Sequence, residues 1–229
     1  MNPASRCFAL VPCAGIGQRA GTGGPKQYEA LAGSSVVAHT LAALAAVPRL
    51  AGTLVVLAPE DTLFERHAPA FGGWVARVGG ATRAATVTHG LAVLRGRGAD
   101  DDDWVLVHDA ARCLLQPAWV DRLIDACFDD PVGGLLALPL ADTLKQADAD
   151  GRVGDTVPRS GKWAAQTPQM FRLGLLQRAL LQAGAGVTDE SSAIEALGLA
   201  PQLVVGDIEN LKLTWPGDFA LAARLLQTR

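Results

Sequence analysis

Two basic residues stand in a glycine-rich loop near the start of the chain. Residues 12–28 read PCAGIGQRAGTGGPKQY and contain Arg19 and Lys26. Glycines let backbone N–H groups turn toward an anion without obstruction by side chains. A triphosphate needs such donors and full positive charges, because negative charge increases on its non-bridging oxygens during phosphoryl or nucleotidyl transfer. The loop therefore predicts a phosphate-binding site, and a surface loop with incidental charges is the alternative.

Two other kinds of glycine-rich loop fit this segment less well. The dinucleotide-binding fingerprint G-x-G-x-x-A is matched by Gly15, Gly17 and Ala20. That fingerprint should open a helix, yet three more glycines and Pro25 follow within a few residues, and the acidic residue expected about 20 positions on is missing. A P-loop is excluded because Gln27, rather than Ser or Thr, follows Lys26.

Strand and helix patterns alternate along the chain. Six short apolar runs predict buried strands at residues 7–11, 54–58, 74–78, 104–108, 134–138 and 203–205. Helical patterns cover residues 36–47, 62–68, 83–94, 119–128, 173–183, 190–197 and 218–226. This alternation predicts an α/β, Rossmann-like fold with a mostly parallel twisted sheet and helices on both faces. Since ligands bind at the carboxyl ends of such strands, the loops after Val11, Val78 and His108 are expected to form the site.

Two polar segments interrupt the alternation. Residues 141–162 are polar and offer little to bury, so they form either a surface loop or a projecting arm that packs on a partner subunit. The acidic run 100–103 precedes a strand and lies at the opposite edge of the sheet from the expected site. We therefore expect a solvated turn there rather than a metal site.

The composition is that of a globular protein without a general basic charge; the small-molecule substrates are implied by the family resemblance described below. The chain has 229 residues, of which 49% are apolar, and a formal net charge of −3, which suits a single α/β domain. A net negative charge provides no general field for nucleic acid or an anionic membrane, so neither partner is expected. Four cysteines without C-x-x-C spacing, no signal segment and no long apolar run predict a cytoplasmic protein with reduced thiols.

Seven segments together resemble one enzyme family. The loop resembles the signature of nucleotidyltransferases that activate sugars and sugar alcohols. Six later segments follow in the order and spacing of the 2-C-methyl-D-erythritol 4-phosphate cytidylyltransferases: GGATRAATV (79–87), VHDAAR (107–112), DTLK (142–145) with TVPR (156–159), WAAQTPQMF (163–171), TDESSA (188–193) and NLKLT (210–214). The resemblance covers nearly the whole chain.

The resemblance implies a role for each matching position on the nucleotide side. The contacts to CTP would come from Ala14, Gly15, Gly17, Gly80, Arg83, Thr86 and Ala110. The catalytic residues would be Arg19, Lys26, Asp109 and Lys212. Arg19 and Lys26 would neutralise the triphosphate and the charge that develops at its α-phosphorus.

On the acceptor side, the resemblance implies a phosphate site shared between subunits. The acceptor phosphate and polyol would be held by Arg112, Thr143, Arg159 and Lys212. Asp109 would bind Mg²⁺, with Asn210 as a second candidate. Thr143 and Arg159 lie in residues 141–162, which in this family reach into the neighbouring subunit of a homodimer. The resemblance thus favours a dimerisation arm over a plain surface loop.

The expected reaction is attack of the acceptor's phosphate oxygen on the α-phosphorus of CTP, with release of pyrophosphate, in isoprenoid precursor synthesis. A ribitol 5-phosphate cytidylyltransferase and a non-catalytic nucleotide-binding protein on the same fold are the alternatives. The chain departs from the family pattern at Gln18, Ala81, Cys113 and Pro158. Gln18 and Ala81 bear on the affinity and selectivity for the nucleotide rather than on the reaction class.

Overall fold

The computed structural model describes residues 5–15 and 24–229, and within them a central twisted sheet. The strands are β1 (Cys7–Pro12), β2 (Ala30–Leu31), β3 (Ser34–Ser35), β4 (Leu50–Val56), β5 (Trp74–Ala76), β6 (Trp104–Val107), β7 (Gly133–Pro139), β8 (Leu144–Ala147), β9 (Val153–Val157), β10 (Trp163–Arg172) and β11 (Gln202–Val205). Seven of these strands form the central sheet in the order β11-β7-β10-β6-β1-β4-β5. All neighbours in it are parallel except the two that pair with β10.

Helices connect the strands. They are α1 (Val36–Ala45), α2 (Phe64–His67), α3 (Arg83–Gly96), α4 (Pro117–Cys127), α5 (Leu173–Ala183), α6 (Glu190–Glu195) and α7 (Pro216–Gln227), with short 3₁₀ helices at Lys26–Tyr28 and Gly184–Gly186. α4 and α7 begin two residues before the predicted starts, at Pro117 and Pro216. Proline suits the first helical position because its fixed φ is compatible with the helix and its missing N–H would be unpaired there anyway.

Apolar side chains alternate between the two faces of the sheet. On β1, Ala9 and Val11 belong to one core cluster, together with buried residues of α1 and α4. Phe8 and Leu10 belong to the other cluster, with buried residues of α3, α5 and α6. Adjacent residues thus point to opposite covered faces, as a doubly covered sheet requires. The predicted mostly parallel α/β fold is confirmed.

The central strand β10 is absent from the sequence-based prediction. It runs antiparallel between β6 and β7, and its pairing with β7 shifts register between Ala165 and Gln169. The shift coincides with a cis peptide bond before Pro168. Polar residues and a proline in the middle of the segment conceal the strand, because proline is rare inside central strands. This irregular middle lies at the edge of the sheet where the parallel strands β1 and β6 end.

Residues 141–162 contain a two-stranded antiparallel sheet of their own. β8 and β9 pair with each other and with no other described strand, and most of their residues are exposed. This exposed hairpin is the segment for which a projecting arm was predicted, and its packing on a partner subunit stays a prediction. Among residues 5–15 and 24–229, no helix combines the length and the apolar character needed to cross a membrane.

The acidic run 100–103 only partly agrees with the predicted solvated turn. Asp100, Asp101 and Asp102 are exposed, but Asp103 is buried. Its carboxylate accepts hydrogen bonds from the backbone N–H of Arg6, at 2.8 Å, and from the Arg6 guanidinium, at 2.6 Å. The last aspartate therefore ties the start of β6 to the chain just before β1.

Candidate active site

A cavity of about 250 Å³ opens where the carboxyl ends of β1 and β6 meet. The first loop contributes Ala14, Gly15 and Lys26 to its lining, and the segment that leads into α3 contributes Gly80, Arg83 and Thr86. The turn after β6 and a distant part of the chain contribute Asp109, Ala110 and Lys212. Gly17 and Arg19, also predicted to bind the nucleotide, lie outside the described residues.

Gln27 fixes the first part of the loop. Its side-chain amide is buried and donates hydrogen bonds to the carbonyl oxygens of Cys13, at 3.3 Å, and of Gly15, at 3.0 Å. The ammonium group of Lys26 donates a hydrogen bond to the carbonyl oxygen of Leu213, at 2.7 Å. The loop is thereby joined to the segment that carries Lys212. Gln27 thus positions the loop, a role that the sequence pattern did not indicate.

The loop before α3 is ordered by two hydroxyl groups. Thr82 caps the helix, because its side chain accepts a hydrogen bond from the backbone N–H of Ala85 at 3.1 Å. The hydroxyl of Thr86 accepts a hydrogen bond from the backbone N–H of Gly80 at 3.0 Å and donates to the carbonyl oxygen of Thr82 at 3.0 Å. A Cβ atom at Gly79 would lie 2.7 Å from the carbonyl oxygen of Leu57, so glycine is needed for the loop to approach β4.

Asp109 is the charged centre of the cavity. The guanidinium Nε of Arg83 donates to one carboxylate oxygen at 3.0 Å, and Lys212 Nζ lies 2.8 Å from the other. Burial alone would raise the pKa of Asp109, but the charges of Arg83 and Lys212 outweigh burial and hold the pKa well below its ordinary value. The carboxylate is therefore ionised at neutral pH and partly neutralises the cations around it.

Arg112 adds a third cation beside this carboxylate. Its Nε lies 3.9 Å from Asp109 Oδ2 and has no hydrogen-bond partner among the described residues. Its Nη1 donates a hydrogen bond to the carbonyl oxygen of Asn210 at 2.6 Å. Arg112 does not line the cavity itself, but its guanidinium borders the carboxylate at the cavity's centre.

Asn210 is fully buried next to these groups. Its amide nitrogen donates to the carbonyl oxygen of Thr167 at 2.8 Å, while its Oδ1 has no partner among residues 5–15 and 24–229. A buried acceptor without a partner costs free energy unless a water or another group satisfies it. Its amide ties the segment of Lys212 to the irregular middle of β10.

His108 links three segments behind the cavity and was not predicted to have a role. Its Nε2 lies 3.2 Å from the carbonyl oxygen of Arg112, and its Nδ1 lies 3.0 Å from the hydroxyl of Thr167. A carbonyl only accepts, so we assign the hydrogen to Nε2, and the hydroxyl of Thr167 then donates to Nδ1. That hydroxyl also accepts from the backbone N–H of Asp109 at 3.1 Å. The neutral imidazole thus holds the turn that presents Asp109.

The buried imidazole predicts a pH-dependent stability. Burial lowers the pKa of His108 from 6.5 to about 4, so below pH 6.5 the unfolded chain binds a proton that the folded chain does not. The free energy of unfolding should therefore fall as pH decreases from 6.5 to 4, by about 1.4 kcal/mol per pH unit from this residue. Urea unfolding at several pH values should show a smaller slope for His108→Gln. Replacement of the exposed His89 by Gln is the control, and an equal slope in both variants would contradict the prediction.

The structure does not bring the two arm residues into the cavity. Thr143 is exposed, and Arg159 is exposed and donates a hydrogen bond to the carbonyl oxygen of Ala141 within the arm. Neither residue lines the cavity of its own chain. Within one chain, the predicted acceptor site is therefore represented by Arg112 and Lys212.

Few carboxylates of the described residues lie near the cavity to bind a metal ion. No group of three or more His, Cys, Asp or Glu side chains that could hold a metal ion occurs within the described part of the chain. Asp109 is the carboxylate that lines the cavity there. Mg²⁺ commonly binds through one or two carboxylates together with substrate phosphates and water, so a single aspartate fits an ion that arrives with a nucleotide.

Comparisons with known proteins agree with this geometry. The family model for IspD, 2-C-methyl-D-erythritol 4-phosphate cytidylyltransferase, matches residues 7–228. A relative of that name from Laribacter hongkongensis is 56% identical, over 97% of this chain and 96% of its own. A relative from Albidiferax ferrireducens, named bifunctional enzyme IspD/IspF, is 60% identical over 98% of this chain, which spans about half (54%) of that longer protein.

Solved structures show the same fold. A crystal structure of a 4-diphosphocytidyl-2C-methyl-D-erythritol synthase is 44% identical, with a TM-score of 0.86 over 97% of this chain and 98% of that one. The corresponding enzyme from Thermus thermophilus is 31% identical, with a TM-score of 0.78 over 97% of this chain and 99% of its own. The resemblance found in the sequence motifs is confirmed. The chain belongs to the 2-C-methyl-D-erythritol 4-phosphate cytidylyltransferase family.

Proposed function

We propose that the protein transfers the CMP moiety of CTP to 2-C-methyl-D-erythritol 4-phosphate, releases pyrophosphate and forms CDP-methylerythritol for isoprenoid precursor synthesis. The observation that carries this proposal is the carboxylate of Asp109, shared between Arg83 and Lys212 in the cavity that Lys26 also lines. Such a group of charges suits two phosphorylated substrates. Membership of a family whose relatives carry this activity in their names supports it.

The first loop and the start of α3 form the nucleotide half of the proposed site. Lys26, together with Arg19, neutralises the triphosphate as charge moves onto the leaving pyrophosphate. The loop carbonyls of Cys13 and Gly15 are bonded to Gln27, which fixes the backbone that faces the phosphates. Cytosine and ribose then lie against Gly80, Arg83 and Thr86, with Ala14, Gly15, Gly17 and Ala110 as further contacts.

The acceptor's own phosphate is the nucleophile. One of its oxygens attacks the α-phosphorus of CTP in line, the bond to the β-phosphate oxygen breaks, and pyrophosphate leaves with that electron pair. No general base is needed because the attacking phosphate is already ionised. Lys212 and Arg112 offset the repulsion between the two anionic substrates and orient the attack.

A divalent cation fits the nucleotide half. Asp109 would hold Mg²⁺, and Asn210, whose buried Oδ1 has no partner among the described residues, is a second candidate. When bound, Mg²⁺ supplies charge neutralisation at the phosphate oxygens. The low pKa of Asp109 keeps its carboxylate available at neutral pH.

The arm completes the acceptor site in a homodimer. In this proposal the chain is a single nucleotidyltransferase domain over residues 1–229, and the arm at 141–162 brings Thr143 and Arg159 to the partner's cavity. The exposed hairpin of β8 and β9, which pairs with no other described strand, and the exposed Val153 support an intersubunit role. We also expect the enzyme to act in the cytoplasm, where its four buried free cysteines stay reduced.

Mixed dimers test whether the arm acts in the neighbouring subunit. Lys26→Ala disables the nucleotide half of its own chain, and Arg159→Ala disables the arm. If the arm acts between subunits, a mixed dimer has one site with both defects and one intact site. Random exchange of equal amounts should then restore about a quarter of the wild-type rate, since half the dimers are mixed. A rate equal to the mean of the two separate variants would contradict the proposal.

An assay of pyrophosphate release tests the proposed reaction. The protein is given CTP and Mg²⁺ with either 2-C-methyl-D-erythritol 4-phosphate or ribitol 5-phosphate, and release should require the first acceptor. Release with ribitol 5-phosphate alone would favour the ribitol 5-phosphate cytidylyltransferase. Absence of release with both acceptors would favour a non-catalytic nucleotide-binding protein.

A further inference from the structure

A buried carboxylate lies behind the cavity and has no part in the proposed transfer of CMP. Glu190, the first residue of α6, is 1% exposed. Its two oxygens accept hydrogen bonds from Arg83, at 2.6 Å from Nη1 and 3.0 Å from Nη2. A buried ion pair is a weak source of stability, because desolvation offsets much of the attraction. The pair therefore calls for a role other than stability.

The contacts of Glu190 fix the plane of the Arg83 guanidinium. A bidentate pair between carboxylate and guanidinium allows little rotation. In this orientation Nε is the atom that donates to Asp109, and it contacts the single oxygen Oδ1. The second oxygen, Oδ2, faces Lys212 at 2.8 Å. Arg83 and Lys212 therefore each contact a different oxygen of the Asp109 carboxylate.

Glu190 is itself held rigidly by β10. The side chain of Gln169 donates a hydrogen bond to the carboxylate of Asp189 at 2.9 Å and accepts one from the backbone N–H of Ser191 at 2.8 Å. The residues on both sides of Glu190 are therefore bound by one buried side chain. β10 thus holds the turn that carries Glu190, and Glu190 is joined through Arg83 to Asp109 by hydrogen bonds.

We propose that Glu190 is a positioning residue that confines Arg83 to one oxygen of Asp109 and leaves the other oxygen to Lys212 and to a divalent cation that accompanies the nucleotide. Without Glu190, the forked guanidinium is free to bind both oxygens of Asp109 and to displace Lys212. The inference rests on the proposed function, since the contacts among Glu190, Arg83 and Asp109 are taken to serve the binding of CTP.

The variant Glu190→Gln tests this role, because it keeps the shape of the side chain and removes its charge. Calorimetric titration with CTP and Mg²⁺, without acceptor, should show that the dissociation constant for CTP rises by at least about tenfold. A change of this size corresponds to the loss of one charge-assisted hydrogen bond. The melting temperature shows whether the variant stays folded, since Arg83 loses one counterion and keeps Asp109 as the other. Glu65→Gln is the matched control, since Glu65 forms an exposed pair with Arg77 at the same 2.6 Å.

A double variant separates positioning from a general structural effect. If Glu190 acts through Arg83, then Glu190→Gln added to Arg83→Gln should not weaken CTP binding further. Should Glu190→Gln fail to fold, Gln169→Ala loosens the same turn and should weaken CTP binding about threefold or more. An affinity within twofold of the wild type, or independent effects that multiply in the double variant, would overturn the inference.

The crystal structure of Glu190→Gln separates this inference from the proposed function. Arg83 should contact both oxygens of Asp109 in the variant, and a guanidinium that stays on Oδ1 would overturn the inference whatever the enzyme's substrate is. Failure of the wild-type protein to release pyrophosphate would instead count against the proposed function.

Discussion

The variant Lys26→Ala is expected to lower kcat/KM by at least about a hundredfold, because it removes a principal charge that stabilises the transition state. Lys26 lines the cavity, and its ammonium group is fixed by the carbonyl oxygen of Leu213 at 2.7 Å. Its position is thus coupled to the segment that carries Lys212. Steady-state pyrophosphate release at varied CTP and acceptor concentrations measures the effect.

The controls for Lys26→Ala concern total charge and folding. Arg178→Ala removes an exposed cation of α5, outside the cavity, and should leave kcat/KM within about twofold, as surface substitutions usually do. The melting temperature of Lys26→Ala should show that the fold persists. A loss in kcat/KM below about threefold in the folded variant would contradict the role assigned to Lys26.

The second large effect is expected for Asp109→Asn, chiefly in the turnover number. The substitution removes the carboxylate that would hold Mg²⁺ beside the nucleotide, so the KM for CTP should rise. The turnover number should fall at least about a hundredfold, since Arg83, Lys212 and the metal ion lose their common partner.

The surface variant Asp125→Asn is the matched control for Asp109→Asn. Asp125 pairs with Arg49 at 2.5 Å and is largely exposed, so its loss should leave both kinetic constants unchanged within about twofold. A raised KM for CTP with an unchanged turnover number in Asp109→Asn would indicate that the carboxylate serves ground-state binding alone.

The sheet was predictable from local patterns, and its central antiparallel strand was not. Runs such as residues 104–108 are apolar enough to indicate a strand buried on both faces, and β6 is found at Trp104–Val107. β10 contains Gln166, Thr167 and Pro168, which locally indicate a loop. Its pairing with β6 and β7 depends on residues far away in sequence, which no local pattern reports.

The site was predicted where a motif stood at a strand end, and missed where buried contacts define the role. Asp109 comes directly after a parallel strand, and residues at the carboxyl ends of such strands lie at the ligand site, so its position in the cavity could be predicted. Glu190 belongs to the recognised segment TDESSA, yet only its burial beside Arg83, 107 residues earlier, distinguishes it from other acids. His108 likewise gains its role from Thr167, which lies on the unpredicted strand.

The arm shows a different limit. The polar sequence of residues 141–162 left a surface loop and a projecting arm open, and the family resemblance favoured the arm; the structure has the exposed hairpin of β8 and β9 there. The roles of Thr143 and Arg159 came from the family resemblance, and within one chain the two residues remain away from the cavity. Their assignment stays a prediction that the mixed-dimer experiment tests.

The central claim is that the acceptor's phosphate attacks the α-phosphorus of CTP, and isotope transfer tests it most directly. 2-C-methyl-D-erythritol 4-phosphate labelled with ¹⁸O in its non-bridging phosphate oxygens is converted with unlabelled CTP, and the products are examined by ³¹P nuclear magnetic resonance. We predict one ¹⁸O atom bonded to the CMP-derived phosphorus of the product, and unlabelled pyrophosphate. A CMP-derived phosphorus without ¹⁸O, or label in the pyrophosphate, would contradict the account.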